Sequence, residues 1–473
     1  MSETSFFSDM LQSIADQGRR LLALGPREGA ATLQLQDRGG VEKLCETLLS
    51  SRGEASGIAI AKAILDRWDG FDDRDRAAFM RMLLERFGPN AEALDRAIDA
   101  HRAEPSERTA QALHAAAEPR RQELIRRLNL APAGMSTLMR MRETLLRLKA
   151  DDPALGAVDD DFAHLFGSWF NRGFLVLKPI DWTSPANVLE KIIRYEAVHE
   201  IRDWDELRRR VAPDDRRCFA FFHPRLIDEP LIFVEVALTT SMPAAVDEVL
   251  DPGRAPIRAG AASAAIFYSI SNCQEGLRGV SFGNFLIKQV VEDLRRDLPE
   301  IATFVTLSPV PGFAAWLGRE IEDDDSEAIA AEDRAVLAAV ADKNWPDDSA
   351  AVERLRPVLT RACAWYLLNA RNTRGMAADP VARFHLGNGA RLERVNFLAD
   401  RSPRGLRQAH GMMVNYLYEL GDIEANHEAF VGRGEVVASS SVKRLVKPGK
   451  AAVAAPGAGR KSGKGADRKE LAP

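Results

Sequence analysis

One stretch of the sequence decides the fold, Ala265 to Leu317: AIFYSISNCQEGLRGVSFGNFLIKQVVEDLRRDLPEIATFVTLSPVPGFAAWL. It opens with AIFYSIS, an apolar and aromatic run of the length of a β-strand. A turn of small residues follows at Arg278–Gly283, and Asn284–Leu298 carries apolar side chains at the spacing of an amphipathic helix. Pro299 ends the helix, and Thr303–Leu307 has the composition of a second strand. The order strand, turn, helix, strand predicts a βαβ unit.

The turn between the first strand and the helix is suited to bind a phosphate. A helix N-terminus presents unpaired N–H groups and a partial positive charge, and glycines let the backbone approach an anion closely. No lysine follows Gly283, so the turn is not a Lys-Ser/Thr phosphate loop. An ordinary glycine-containing turn between a strand and a helix is the alternative.

The same turn resembles the acyl-CoA pyrophosphate loop of the GNAT acetyltransferase superfamily, whose pattern is Arg/Gln-x-x-Gly-x-Gly/Ala. Arg278, Ser281 and Gly283 occupy its three defining positions, with Ser281 in place of the usual middle glycine. The resemblance implies that the turn binds the pyrophosphate of CoA. The residues of this predicted site are Arg278, Gly279, Val280, Ser281, Phe282, Gly283 and Asn284.

Four further segments resemble the malonyl-CoA decarboxylase family. They are FFHP at 221–224, EPLIFVEVAL at 229–238, LSPVPGF at 307–313 and FHLGNGA at 384–390. The resemblance runs from about Phe162 to Leu420 and is specific, because these separate motifs occur in the family's order. It is weaker in the N-terminal region. It implies malonyl-CoA as substrate, acetyl-CoA and CO2 as products, and a homotetramer.

This resemblance assigns the family's catalytic serine and histidine to Ser308 and His385. Loss of CO2 from a malonyl thioester leaves an enolate, whose oxygen must be stabilised and whose carbon must receive a proton. We interpret His385 as the general acid and Ser308 as the group that engages the malonyl carboxylate or the thioester carbonyl. This reaction needs no metal and no organic cofactor. Judged from the residues alone, Ser308 would be an ordinary turn serine and His385 a structural histidine.

Two other functions stay open on the sequence. Glu235 lies inside an apolar strand, where a GNAT N-acyltransferase often places the general base that deprotonates its amine substrate. An acyl-CoA sensor without catalytic activity is the third possibility. Release of CO2 from malonyl-CoA without an amine distinguishes the decarboxylase from both.

The fold class that we predict is α+β, with an N-terminal helical bundle followed by a GNAT-like mixed α/β domain. Residues 1–155 carry helical periodicity and almost no strand-like alternation, which predicts a bundle for assembly or support. Residues 156–438 form the predicted acyl-CoA-binding catalytic domain. Residues 439–473 are predicted to be a disordered basic tail, because 441–473 contains nine Lys or Arg and two acidic residues. We interpret the acidic segment from Ala150 to Asp161 as a solvated linker.

Within the catalytic domain we predict a turn-rich segment around His385, at Pro380–Ala390. A helix is predicted over Arg404–Leu420, because Ser402 and Pro403 form a favourable N-cap and first-turn pair. The strands predicted outside the βαβ unit are Cys218–Phe222, Ile232–Leu238 and Arg391–Leu398.

Composition and charge favour a globular protein of the cytoplasm. The chain has 473 residues, of which 46% are hydrophobic and 28% charged, and its net charge of −5 gives no argument for a nucleic-acid partner. Its four cysteines are scattered without a C-x-x-C pair, which favours free thiols and gives no zinc signature. The N-terminus does not have the pattern of a secretory signal, and no apolar run is long enough to cross a bilayer. The sequence therefore predicts a cytoplasmic location without a membrane partner.

Overall fold

A computed structural model of the chain describes residues 38–50, 53–280 and 286–446. The first 37 residues of the predicted helical bundle lie outside these residues. Four residues of the predicted phosphate turn, Ser281, Phe282, Gly283 and Asn284, also lie outside them. None of the helices in the described ranges is long and apolar enough to span a bilayer.

The first part of the described chain is helical, as the periodicity predicts. Its helices are α1 (Arg38–Leu49), α2 (Glu54–Gly70), α3 (Asp73–Arg86), α4 (Ala91–Ala103), α5 (Glu107–Ala117), α6 (Arg120–Asn129), α7 (Gly134–Leu148) and α8 (Gly156–Trp169). Polar N-caps begin several of them: the Asp72, Asn90 and Ser106 side chains accept N–H groups of the first turn in α3, α4 and α5. Trp68 and Phe79 are buried between these helices with their rings 5.5 Å apart.

The acidic segment before the catalytic region is not a solvated linker throughout. Gly156–Trp169 is helical, and its Asp159 and Asp161 are only 5% and 6% exposed. Both carboxylates are neutralised by buried arginines of neighbouring helices, Asp161 by Arg121 and Asp159 by Arg142. Acidic side chains in a row suggested solvent exposure, but these two face inward because each has a guanidinium partner.

The remaining chain builds one mixed β-sheet. Its strands are β1 (Val176–Ile180), β2 (Arg216–Phe222), β3 (Pro230–Thr239), β4 (Ala264–Asn272), β5 (Thr303–Thr306), β6 (Ser308–Pro309), β7 (Arg391–Asn396) and β8 (Met413–Leu417). The order across the sheet is β1-β2-β3-β4-β5-β8-β6, with β7 also paired to β8. The strands predicted from apolar alternation are therefore confirmed.

One parallel pair lies within this otherwise antiparallel sheet. β4 pairs in parallel with β5, in register Phe267 with Thr306, whereas β2, β3 and β4 pair antiparallel. A helix from Leu286 to Asp297 connects the parallel strands, which confirms the predicted βαβ unit. The predicted fold class, a helical region followed by a GNAT-like mixed sheet, is also confirmed.

Further helices follow α8 and alternate with these strands along the chain. They are α9 (Ala186–Tyr195), α10 (Trp204–Val211), α11 (Asp247–Leu250), α12 (Leu286–Asp297), α13 (Phe313–Glu322), α14 (Ala331–Leu337), α15 (Ser349–Asn369), α16 (Pro380–Gly387), α17 (Pro403–Ala409), α18 (Ile423–Arg433) and α19 (Ser440–Leu445). The apolar stripe of α12 is buried as predicted, including Leu286, Val290 and Leu294.

The predicted helix over Arg404–Leu420 is wrong in its second half. The helix that begins at Pro403 ends at Ala409, and β8 occupies Met413–Leu417. His410 and Gly411 both adopt positive φ, 49° and 75°, so the chain leaves the helix between the two elements. The turn-rich prediction for Pro380–Ala390 is wrong as well, since most of that segment is α16.

The predicted disordered tail begins too early. Residues 440–445 form α19, and Val442 is 1% exposed. The preceding Ser439 donates its N–H to the Leu392 carbonyl, which ties this segment to β7. The prediction for 439–446 is therefore corrected, and the rest of the predicted tail, residues 447–473, lies outside the described chain.

Candidate active site

Ser308 and His385, 77 residues apart in sequence, meet in the interior of the catalytic domain. The distance from Ser308 Oγ to His385 Nε2 is 3.0 Å, which is a hydrogen bond. Both residues are buried, at 5% and 3% exposure. The sequence predicted a catalytic role for each residue without a contact between them, and in the structure the two side chains are hydrogen-bonded.

His385 is held by the helix that carries it. Asp379 caps α16, and its carboxylate accepts the N–H groups of Val381 and Ala382 at 2.9 and 3.0 Å. Pro380 occupies the first turn, where its missing N–H costs nothing. Beyond the helix, Gly389 has φ of 82°, and a Cβ there would lie 2.2 Å from the Ile423 carbonyl oxygen. The chain on both sides of His385 is thus fixed.

Ser308 lies where the parallel pair ends and the sheet continues through β8. Residues 308 and 309 pair with Val414 and Met413, which fixes the backbone of Ser308. Its hydroxyl donates to Thr306 Oγ1 at 2.8 Å, and that oxygen also accepts the Tyr416 N–H at 3.1 Å. A serine that donates its own proton to Thr306 has only lone pairs left for His385.

The hydrogen bonds around His385 define its tautomer. Because Ser308 Oγ accepts, His385 Nε2 carries the proton and donates it. Nδ1 is then the acceptor, and the Tyr418 hydroxyl lies 2.8 Å away to donate to it. A directed chain of donors results, from Tyr418 through His385 and Ser308 to Thr306.

The imidazole of His385 is neutral in this environment. Burial lowers its pKa from the usual value near 6.5 to about 3, since the charged ring would lose its hydration. The ring stacks on Tyr416 with centroids 4.6 Å apart, which adds an apolar face to the site. A neutral imidazole that gives up its Nε2 proton stays neutral only if Nδ1 receives a proton from another donor.

Sequence reasoning missed Thr306, Tyr416 and Tyr418. Two of them lie in the segment predicted as a helix, so the alternation of Val414, Tyr416 and Tyr418 was not used. That period-two pattern is typical of a strand with one face buried, and it was the signal available. The Asp-Pro pair before His385 was a second unused signal, because it predicts a helix start.

The phosphate turn is described only in its first half. Glu275–Leu277 forms a 3-10 turn that begins three residues after the last residue of β4, and Arg278, Gly279 and Val280 follow it. Gly279 has φ of 79°, a left-handed conformation that favours glycine. These residues lie at the carboxyl end of β4, as the sequence predicts.

Glu235 is placed differently from a general base that meets an amine. Its side chain is fully buried and accepts a hydrogen bond from Arg210 Nη1 at 3.1 Å. Burial raises the pKa of Glu235 to about 8, although Arg210 opposes that shift. Because Glu235 is buried and paired with Arg210, it is not placed to meet an amine substrate, and this argues against the acyltransferase alternative.

Two further histidines and one cysteine of the catalytic domain have structural contacts. His223 packs on Phe170 at 5.3 Å, and its Nδ1 accepts the Arg225 N–H. His410 ends α17 and contacts Phe313 edge to face. Cys273 is buried, and burial raises the pKa of its thiol well above the usual value, which keeps it protonated. Across the described residues, no group of three or more His, Cys, Asp or Glu side chains is placed to hold a metal ion.

Comparisons with known proteins place the chain in a family. Residues 173–455 match the family model for the malonyl-CoA decarboxylase C-terminal domain, and residues 87–170 match that for the N-terminal domain. The chain belongs to the malonyl-CoA decarboxylase family. Ser308 and His385 therefore lie in the part of the chain that matches the C-terminal domain of that family.

Individual members of the malonyl-CoA decarboxylase family align over most of the chain. The crystal structure of the enzyme from Rhodopseudomonas palustris is 59% identical, with a TM-score of 0.84 over 86% of this chain and 99% of that chain. The structure from Agrobacterium vitis is 62% identical, with a TM-score of 0.82 over 86% of this chain and 100% of that chain. The mitochondrial enzyme of Anser anser anser is 37% identical over 352 residues, 69% of each chain.

The low pKa of His385 predicts a defined pH dependence. We expect its ring to stay neutral, with the proton on Nε2, from pH 8 down to pH 5. In the unfolded chain the same ring takes up a proton near pH 6.5, so it contributes stability above that pH. This contribution falls by about 1.4 kcal/mol per pH unit as the pH drops from 6.5 toward 3.

Nitrogen-15 NMR of histidine-labelled protein measures both the charge and the tautomer, and His385→Asn assigns the signal. Urea unfolding at pH 8, 6 and 5 gives the stability, and the His385→Asn variant should show a shallower fall. A His385 ring that titrates near pH 6.5 in the folded protein would contradict the prediction.

Proposed function

We propose that this chain decarboxylates malonyl-CoA to acetyl-CoA and CO2. The observation that carries the proposal is the buried hydrogen bond between Ser308 and His385, in a chain of the malonyl-CoA decarboxylase family. The reaction breaks the bond between the carboxylate carbon and the methylene carbon. Its electron pair passes into the thioester carbonyl, and the resulting enolate carbon takes one proton.

His385 is the general acid of this proposal. The Nε2 proton is the one delivered to the enolate carbon, because burial disfavours the doubly protonated ring. As Nε2 loses its proton, Nδ1 can take the hydroxyl proton of Tyr418, which lies 2.8 Å away, so the imidazole stays neutral. The negative charge of the enolate then lies on the Tyr418 oxygen, and solvent returns one proton to that oxygen in each turnover, which burial favours because it raises the pKa of Tyr418 well above its usual value.

Ser308 engages the malonyl carboxylate or the thioester carbonyl. Its hydroxyl can rotate from Thr306 Oγ1 toward a substrate oxygen, while its position is kept by β6 and β8. Because the surroundings are buried, a hydrogen bond to the developing oxyanion is stronger than it would be in water. The rigid Pro309 that follows Ser308 also helps to hold the carboxylate out of the thioester plane.

The turn Arg278–Asn284 binds the CoA pyrophosphate in this proposal. The support is its sequence pattern, its position after β4 and the left-handed Gly279. The proposed mechanism uses neither a metal nor an organic cofactor. We further propose a homotetramer, on the family resemblance, and a cytoplasmic location, where the four buried cysteines would remain thiols.

The proposed activity is tested with purified protein, malonyl-CoA and EDTA, in the absence of amines and nucleotides. We expect CO2 and acetyl-CoA in equal amounts, because the chemistry uses the thioester itself as electron sink. The products are measured by a coupled acetyl-CoA assay and by carbon-14 release from the labelled carboxyl group. Strict dependence on an added metal or amine would refute the mechanism.

Replacement of His385 by Asn tests the general acid. His385→Asn keeps a polar side chain but removes the proton relay, so kcat should fall roughly a hundred- to ten-thousand-fold. Affinity for CoA should change little, because it depends on the distant turn. Tyr418→Phe, which removes only the donor to Nδ1, should give a smaller fall in kcat. Near-normal turnover of a stable His385→Asn protein would remove His385 from the mechanism.

Two substitutions at Gly279 test the CoA-binding turn. Asp and Asn have the same shape and both tolerate the left-handed conformation, and a Cβ at Gly279 meets no atom within 4 Å. Gly279→Asp adds a negative charge beside the phosphates and should weaken CoA binding roughly tenfold or more relative to Gly279→Asn. Calorimetry with CoA measures the difference. Equal affinity of the two variants would place the phosphates elsewhere.

A further inference from the structure

An arginine of the helical region bonds the backbone of the predicted CoA turn. Arg142 of α7 is 3% exposed, and its Nη1 donates to two carbonyl oxygens, those of Gly276 at 2.7 Å and Arg278 at 2.9 Å. Arg142 lies in the part that matches the family's N-terminal domain, whereas Gly276 and Arg278 lie in the C-terminal one. The contact therefore joins the two parts of the chain at the turn itself.

The backbone of this turn lies directly against α7. A Cβ at Gly276 would be 2.2 Å from the Met139 carbonyl oxygen and 2.9 Å from its carbonyl carbon, so only glycine fits there. Leu277, the next residue, is 3% exposed and belongs to the main hydrophobic core. Helix α7 thus supplies a rigid surface on which the start of the turn is seated.

Arg142 is itself fixed by a buried carboxylate. Its Nε donates to Asp159 Oδ1 at 2.8 Å, and Asp159 is 5% exposed. The other oxygen of Asp159 accepts from Lys149. Asp159 therefore neutralises and orients the guanidinium, and Lys149 holds the carboxylate of Asp159, which keeps Nη1 directed at the turn.

We propose that Arg142 is a positioning residue for CoA binding, held by Asp159, and that it sets the affinity for the nucleotide end of the substrate. This inference rests on the proposed function. In a trans peptide the carbonyl and the following N–H point in opposite directions. Arg142 holds the Arg278 carbonyl toward α7, and the N–H of Gly279 is therefore directed away from the helical region. The same contact keeps two carbonyl oxygens from facing the phosphates, which they would repel.

Such a role affects binding of the nucleotide and leaves the chemical step alone. Arg142 donates to the turn, whereas the proposed chemistry occurs at Ser308 and His385. Loss of Arg142 should therefore raise KM for malonyl-CoA and the Kd for CoA, with little change in kcat. The kcat/KM for a malonyl thioester whose carrier has no phosphates should not change.

The experiment compares two substrates in the full-length Arg142→Met protein. Malonyl-CoA contains the pyrophosphate, whereas the malonyl thioester of N-acetylcysteamine has the reacting atoms and no phosphate. We expect kcat/KM for malonyl-CoA to fall roughly tenfold, the effect of losing a charge-assisted hydrogen bond. We expect kcat/KM for the N-acetylcysteamine thioester to be unchanged. Calorimetry with CoA should show the same roughly tenfold loss of affinity.

Matched variants separate positioning from general destabilisation. Arg121 of α6 makes a similar buried pair with Asp161 of α8, and its guanidinium donates to Asp161 and to the Ala157 carbonyl, both in α8. Arg121→Met should lower the melting temperature without a selective effect on malonyl-CoA. Arg142→Lys keeps the charge beside Asp159, and Asp159→Asn keeps Arg142 but loosens its orientation. Both variants should show the same selective loss on malonyl-CoA and CoA, but a smaller one. They replace Arg142→Met in the experiment if the Arg142→Met protein does not fold.

Each result decides the inference. A loss confined to malonyl-CoA and CoA supports it. Equal losses on both substrates, no loss in folded Arg142 variants, or the same selectivity in Arg121→Met would overturn it. If the wild-type protein releases no CO2 from malonyl-CoA, the proposed function fails, and CoA calorimetry on the same variants still decides the role of Arg142.

Discussion

The site depends on one constraint, which is that a neutral imidazole must be held between two hydroxyl groups where water is scarce. Ser308 and Tyr418 contact the two nitrogens of His385 at 3.0 and 2.8 Å. Each of the three side chains comes from a different element: the end of the parallel pair, the last turn of α16 and the residue after β8. The mixed sheet is the structure that lets these elements converge. If any of the three shifted, the donor chain would be interrupted and a buried polar group would lose its partner.

Local sequence patterns were sufficient for the central part of the fold. The apolar runs of β4 and β5, with the amphipathic α12 between them, follow from residue periodicity and from the proline and glycine that end the elements. The family resemblance assigned the catalytic roles to Ser308 and His385, since neither residue has a distinctive neighbour in sequence. Their meeting could not be deduced from spacing, because it depends on how β8 pairs with β6.

The missed features share a physical cause. At Arg404 to Leu420 the cap at Ser402 correctly predicted a helix start, but the stop at Gly411 was not recognised. The predicted helix was therefore extended over the residues of β8, and the role of Tyr418 was missed with that strand. Asp159 and Asp161 were misread for a related reason. A carboxylate is expected to be solvated unless a cation is buried beside it, and the arginines that supply the charge lie 17 and 40 residues away.

The 77-residue separation of Ser308 and His385 has a consequence for how the protein acquires its activity. Closing a long loop costs chain entropy before any contact repays it, whereas the helices of the first region form from neighbouring residues. A folding chain can therefore reach most of its helical content while the imidazole is still far from its serine. Conversely, local opening of α16 or β8 would abolish the site and leave the helical region intact. A measurement of helical content therefore does not report whether Ser308 and His385 are in contact.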